Sequence, residues 1–191
     1  MNKFLTIFFC LSFYICFSQT KIDSLIKLIN TTKQDTEVIN LNFKLMNEYS
    51  YFNPNKSISI ANRNLLLCKK NNFKLYKIYT HLAYYLSITS NLKDALINYQ
   101  LAEKECEKEV DLNNKNIHLS YVYERIADLN SQLQNYKISI IYSKKAIELI
   151  KKTLNKKTEF DLNINIGNYY FKANLLDKSL EHYGIAEKGY L

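Results

Sequence analysis

Residues 91–105 read "NLKDALINYQLAEKE", and two later stretches echo them: "NYKISIIYSKKAIEL" at 135–149 and "LLDKSLEHYGIAEKG" at 175–189. In register, Ala95, Ser139 and Ser179 share one position, and Ala102, Ala146 and Ala186 follow seven residues on. Tyr99, Ser143 and Tyr183 fall between them. Seven residues are nearly two helical turns, so the small side chains form one narrow stripe along which a second helix can approach closely. The partner lies just upstream in each case: "YTHLAYYLSITS" (79–90), "YERIADLNSQLQ" (123–134) and "NINIGNYYFKAN" (163–174). Each carries a small residue, Ala83, Ala127 or Gly167, among large ones such as Tyr79, Leu82, Leu86, Ile166 and Tyr170. The pattern predicts a helix hairpin repeated along the chain.

These hairpins resemble tetratricopeptide (TPR) repeats, whose pattern is a large residue, then Leu-Gly, then Tyr, Ala, an aromatic and Ala. The last hairpin matches best, with Ile166, Gly167, Tyr170, Ser179, Tyr183 and Ala186 in order. In the third, Asn130 replaces the expected Tyr and Ser143 the aromatic. A degenerate first copy appears in "LNFKLMNEYSYFNPNKSISIANRNLLLCKK" (41–70), where Leu45, Ser57 and Ala61 keep the register. Asn53 and Pro54 there suit an N-cap and a first helical position. The reference points Leu45, Ala83, Ala127 and Gly167 recur about every 40 residues against about 34 in the standard repeat, which predicts longer helices and turns. The resemblance implies an all-α, right-handed superhelical solenoid of about four antiparallel hairpins, near 35–71, 73–111, 115–153 and 157–191. A plain antiparallel helix bundle is the alternative. "KIDSLIKLIN", within residues 19–34, predicts a short amphipathic helix covering the first hairpin.

Composition agrees. One Pro and three Gly in 191 residues leave little for turn-rich β folds or phosphate-cradling loops. The formal net charge of +8 raises nucleic acid as a partner. However, an acidic stretch (Glu103–Asp111) and a basic one (Lys144–Lys157) fall on equivalent parts of neighbouring repeats, which predicts pairing between helices and no nucleic-acid surface.

The first twenty residues, "MNKFLTIFFCLSFYICFSQT", place one Lys before an apolar run from Phe4 to Phe17, with small residues at Cys16 and Ser18. That is the pattern of a secretory signal peptide, residues 1–18, cleaved before Gln19; the run is short of the roughly 20 residues that span a membrane. An uncleaved anchor is the other reading, and bulky Ile15 and Phe9 disfavour lipid attachment at Cys16 or Cys10. The expectation is a periplasmic or extracellular bacterial product with no membrane span in the mature chain. Cys68 and Cys106, on equivalent positions of adjacent second helices, are expected as buried thiols; a disulfide needs Cα atoms within about 4.4–6.8 Å, closer than neighbouring helix axes usually come.

The resemblance places a ligand on the concave wall built by the first helix of each hairpin. It carries the groove over to Asn42, Met46 and Tyr49; Thr80, Tyr84 and Ser87; Glu124, Asp128 and Ser131; and Ile164, Asn168 and Phe171. In relatives that grip a carboxylate tail these turns hold Lys, Asn and Arg. Only Asn42 and Asn168 fit here, and Glu124 and Asp128 would repel a carboxylate, so the expected ligand is a protein or peptide with basic or aromatic groups. No enzyme is predicted. His81, His118 and His182 have no metal-ligand or catalytic spacing, and Gly167, Gly184 and Gly189 form neither a dinucleotide motif nor a P-loop, so neither metal nor cofactor is expected. The primary expectation is an exported, non-catalytic scaffold. The alternative is the sensory N-terminal part of a membrane-bound histidine kinase or transcription regulator, since Leu191 follows the fourth hairpin without a polar capping helix. Such an open end also predicts self-association.

Overall fold

The computed structural model describes residues 20–153 and 155–190, all helix and short turn, with no strand among them. The expected signal segment, residues 1–18, and its cleavage before Gln19 therefore lie outside the described residues. The chain divides into two compact units, Met1–Phe73 and Lys74–Leu191.

In the first unit, helix α1 (20–31) precedes a hairpin of α2 (Asp35–Ser50) and α3 (Pro54–Lys70). α1 is amphipathic as expected: Ile22 and Leu25 are buried, and Lys21 pairs with Glu48 at 2.6 Å. Asn53 caps α3 by accepting the Lys56 N–H at 3.1 Å, with Pro54 at a position whose missing N–H costs nothing. The small residues Ser57 and Ala61 are fully buried, and the Ser57 hydroxyl donates to the Met46 carbonyl at 2.7 Å. Asn64 bridges the two helices, accepting from Asn42 at 3.1 Å and donating to the Ile39 carbonyl at 3.2 Å.

The second unit holds three hairpins: α4 (Leu75–Ile88) with α5 (Leu92–Glu107), α6 (Leu112–Gln132) with α7 (Tyr136–Ile150), and α8 (Lys156–Lys172) with α9 (Leu176–Tyr190). Within it α5 packs on α6 and α7 on α8, stacking each hairpin on the next, and α4 also touches α6. The small-residue stripe is the reason. Ala83, Ala95, Ala102, Ala127, Ser139, Ala146, Gly167, Ser179 and Ala186 are all buried. At Gly167 a Cβ would stand 2.6 Å from the Tyr183 ring, so the glycine makes room for an aromatic of the partner helix. Ser179 ties the same hairpin by donating to the Gly167 carbonyl at 2.9 Å. Between the last two hairpins Ala146, Ile147, Ile150, Leu162, Ile166 and Tyr170 form a continuous core.

The three hairpin turns are copies of one another. The second residue after the helix, Ser90, Gln134 or Asn174, adopts φ of 63°, 60° or 58°. The following N–H then reaches back five residues: Asn91 to Leu86, Asn135 to Asn130 and Leu175 to Tyr170, at 2.9, 2.8 and 2.9 Å. This left-handed cap satisfies helix-end carbonyls that would otherwise be orphaned. Asn72, at φ 48°, makes the corresponding turn after α3, with the Phe73 N–H on the Cys68 carbonyl at 2.9 Å.

The acidic and basic stretches do not pair as the sequence predicts: among the described residues no ion pair joins them. Glu107 and Glu109 turn to Lys115 and Lys74 instead, Glu105 to Lys108, and Glu103 accepts the Tyr123 hydroxyl at 2.9 Å. Lys151 and Lys156 share Glu159, while Lys145 lies over the Tyr142 ring at 4.9 Å. The aromatic rings of α6 and α7 fill the space between the two stretches.

Candidate functional site

The predicted groove positions have different fates. In the first unit Met46 is fully buried and Asn42 is consumed by its bond to Asn64, so neither faces open space; Tyr49 is half-buried against Phe52, ring centres 5.6 Å apart. In the second unit Thr80, Ser87 and Ser131 are also buried. Thr80 and Ser87 turn their hydroxyls onto their own helix, to the carbonyls of Tyr76 and Tyr84, as short hydroxyl side chains in helices commonly do. Tyr84, Ile164, Asn168 and Phe171 are exposed, and Asn168 accepts the Tyr183 hydroxyl at 2.6 Å.

Glu124, Asp128 and Ser131 belong to a ladder that joins α6 to α8. Asn165 donates to Glu124 at 2.8 Å, the Tyr169 hydroxyl donates to Asp128, and Lys172 donates to Ser131 at 3.1 Å, every rung spanning 41 residues. A constant separation over two turns means that the helices run parallel in fixed register. Arg125 completes the arrangement, placing its guanidinium 3.2 Å from both Glu124 and Asp128 and 5.3 Å over the Tyr121 ring. Burial disfavours the Arg125 charge, but the two carboxylates outweigh that and hold its pKa above the ordinary value. Burial raises Glu124 as well, Asp128 adding to it against the pull of Arg125. The two acids that the sequence sets against a carboxylate ligand therefore share one guanidinium, which offsets one of their two charges.

Two cavities open along α4, α6 and α8. The smaller, about 210 Å³, is bordered by Tyr84, Tyr99, Arg125, Asp128, Tyr169 and Lys172, with Ser87 and Ser131 in its wall. The larger, about 400 Å³, is bordered by Tyr76, His81, Ile117, His118, Tyr121, Glu124 and Ile150. His118 stacks on Tyr76 with centroids 4.2 Å apart. Burial pushes His81 down to about 4 and, with Lys74, lowers His118, so both rings are neutral at pH 7. The cavities bring together Tyr84, Ser87, Glu124, Asp128 and Ser131 of the predicted set and leave out Thr80, Ile164, Asn168 and Phe171.

Arg125, Tyr121, Tyr99, Tyr169 and Lys172 were not among the predicted positions. A signal existed for two of them: Tyr121, Arg125, Asp128 and Gln132 are spaced four, three and four apart, one face of one helix. Tyr99 enters from a second helix, through the position that the repeat fills with Tyr, Ser and Tyr. Among the described residues no group of three or more His, Cys, Asp or Glu side chains could hold a metal ion. Cys68 and Cys106 are both buried, and burial followed by Glu107 pushes the Cys106 thiol up to about 12. What the site offers is hydrogen bonding and aromatic surface.

No protein-family model matches the sequence, and no curated protein matches it. Solved structures do. BtubC from P. vanneervenii is 13% identical over 84% of this chain and 66% of its own, with a TM-score of 0.69. A Rap protein complexed with competence and sporulation factor is 16% identical over 94% of this chain, with a TM-score of 0.77; the chain spans 51% of it. The TPR-like repeats of a putative kinesin light chain from Podosopora anserina give 10% identity, 90% and 86% coverage and a TM-score of 0.66. At such identities the likeness is one of fold, and the fold of this chain is a TPR-like repeat of antiparallel helix hairpins.

Proposed function

We propose that this chain is a non-catalytic scaffold that binds a protein or peptide segment on the face formed by α4, α6 and α8. The observation that carries the reading is the pair of adjacent cavities on that face, lined by tyrosines and by polar groups already locked in place by the α6–α8 ladder. Rigid aromatic groups beside fixed donors give contact area at low entropic cost. The Rap neighbour holds a bound factor, which supports a binding role for this fold. The N-terminal apolar run supports export from a bacterial cytoplasm, and among the described residues no helix is long and apolar enough to cross a membrane.

Panning a displayed random-peptide library on the immobilised chain tests the binding reading. Selected peptides should bind the parent and lose at least about tenfold affinity for Tyr84→Ala, whose exposed ring can be removed without opening a core. Selected peptides that ignore Tyr84→Ala and Lys172→Gln alike would move binding off this face, and a library yielding no binder would overturn it. Fractionation of cells producing the tagged chain tests export, which cytoplasmic retention with residues 1–18 intact would contradict.

A further inference from the structure

The two cavities share one helix. Tyr121 borders the larger and Asp128 the smaller. The seven-residue step from one to the other rises about 10 Å along α6, a distance that an extended chain covers in about three residues.

Their chemistries differ. The larger is walled by the rings of Tyr76, His118 and Tyr121 and by Ile117 and Ile150, and its volume suits a bulky apolar side chain. In the smaller the carboxylates are already paired. Asp128 holds Arg125 and the Tyr169 hydroxyl, and Glu124 nearby holds Arg125 and Asn165. Its donors are less committed. Lys172 makes one hydrogen bond, to Ser131, and among the described residues no carboxylate lies within 4.0 Å of it. Tyr99, only 2% exposed, borders the cavity, and its hydroxyl has no hydrogen-bond partner among the described residues. A cavity whose carboxylates are already paired while a lysine and a phenol hydroxyl are less committed favours an acceptor, and a charged one most.

We propose that this face reads an extended peptide in which a large apolar side chain, seated in the larger cavity, stands three residues from an Asp or Glu side chain held by Lys172 and Tyr99 in the smaller. This rests on the peptide-binding reading above and assigns its ligand chemistry, opposite in sign to the basic ligand that Glu124 and Asp128 suggest from sequence.

Fluorescence anisotropy on the full chain tests it, with labelled peptides blocked at both ends, so that no terminal carboxylate is present. Each is a Gly/Ser chain holding one Phe and one Glu at spacings of one to seven, in both orders, with Gln and Lys versions of the Glu. The spacing of three should bind tightest in one of the orders, and Glu→Gln should weaken it about tenfold. Lys172→Gln and Tyr99→Phe should erase the Glu-over-Gln preference, and urea unfolding curves matching the parent's show that the variants are folded. Affinity independent of spacing, a maximum at seven, or Lys preferred over Glu would overturn the inference and leave the peptide reading standing. Failure of this panel while the random library yields binders without the pattern would do the same. Failure of both would end both.

Discussion

Arg125 shows how a single side chain reverses the meaning of its neighbours. From sequence Glu124 and Asp128 are a negative patch; in the fold each is paired to one guanidinium and hydrogen-bonded across to α8. Arg125→Met leaves two partly buried carboxylates facing each other. With about a quarter of the arginine side chain still exposed, the expected loss is about 1–3 kcal/mol, below that of a fully buried pair. The loss should depend on pH. Burial already raises the Glu124 pKa in the folded state, and removing Arg125 raises it further. A carboxyl with a raised folded pKa favours folding below its unfolded value, and that contribution is lost as pH rises through the folded one. Urea unfolding should therefore show a larger deficit at pH 7 than at pH 4, and an equal deficit would contradict the pairing. At this scale the site was half legible. The family's groove offsets pick out Tyr84, Glu124 and Asp128, which border the cavities, but they also return Met46 and Asn42, because in the degenerate first copy the same offsets fall inside the hairpin. They missed Tyr169 and Lys172, whose importance comes from a 41-residue register that only packing reveals.

Among elements, the hairpin is the unit that the sequence spelled out most clearly, since its small residues recur in phase and every one is buried. The turns were less legible. Few glycines predict few special turns, yet each hairpin turn of the second unit contains a left-handed residue, filled by Ser90, Gln134 or Asn174. A β-carbon in that conformation costs about 1–2 kcal/mol, and Gln lacks the short polar side chain that eases it for Asn. Gln134→Gly should therefore stabilise the fold by about 0.5–1 kcal/mol in urea unfolding, net of the entropy glycine loses. A destabilised variant would mean that the turn is not built this way. Glycine's absence of a side chain matters at two packing positions, Gly167 against the Tyr183 ring and Gly189 against the Phe160 ring. Gly167→Ala drives a methyl into the Tyr183 ring and should cost about 1–2 kcal/mol despite better helix propensity. Gly184→Ala, with nothing within 4 Å, should gain about 0.5–1 kcal/mol in the same assay. Equal effects at the two sites would contradict the close approach of α8 and α9.

For the molecule as a whole, all-α architecture and hairpin repetition followed from spacing alone, because small side chains at helical period admit few other packings. The distribution of charge was harder to read. Equivalent positions in successive repeats suggested an acidic helix facing a basic one, but lysines closer in sequence take up the acids first, and aromatic rings fill the interface. Binding is proposed to use the face of α4, α6 and α8. Photo-cross-linking tests it most directly: a library-selected peptide carrying a photoreactive side chain is irradiated with the full chain, and the adducts are mapped by mass spectrometry. Adducts are expected at Tyr84, Tyr121, Gln132 and Lys172, which border the cavities. Adducts confined to α5, α7 and α9, on exposed residues such as Ile97, Ile141 and Leu180, would contradict the account.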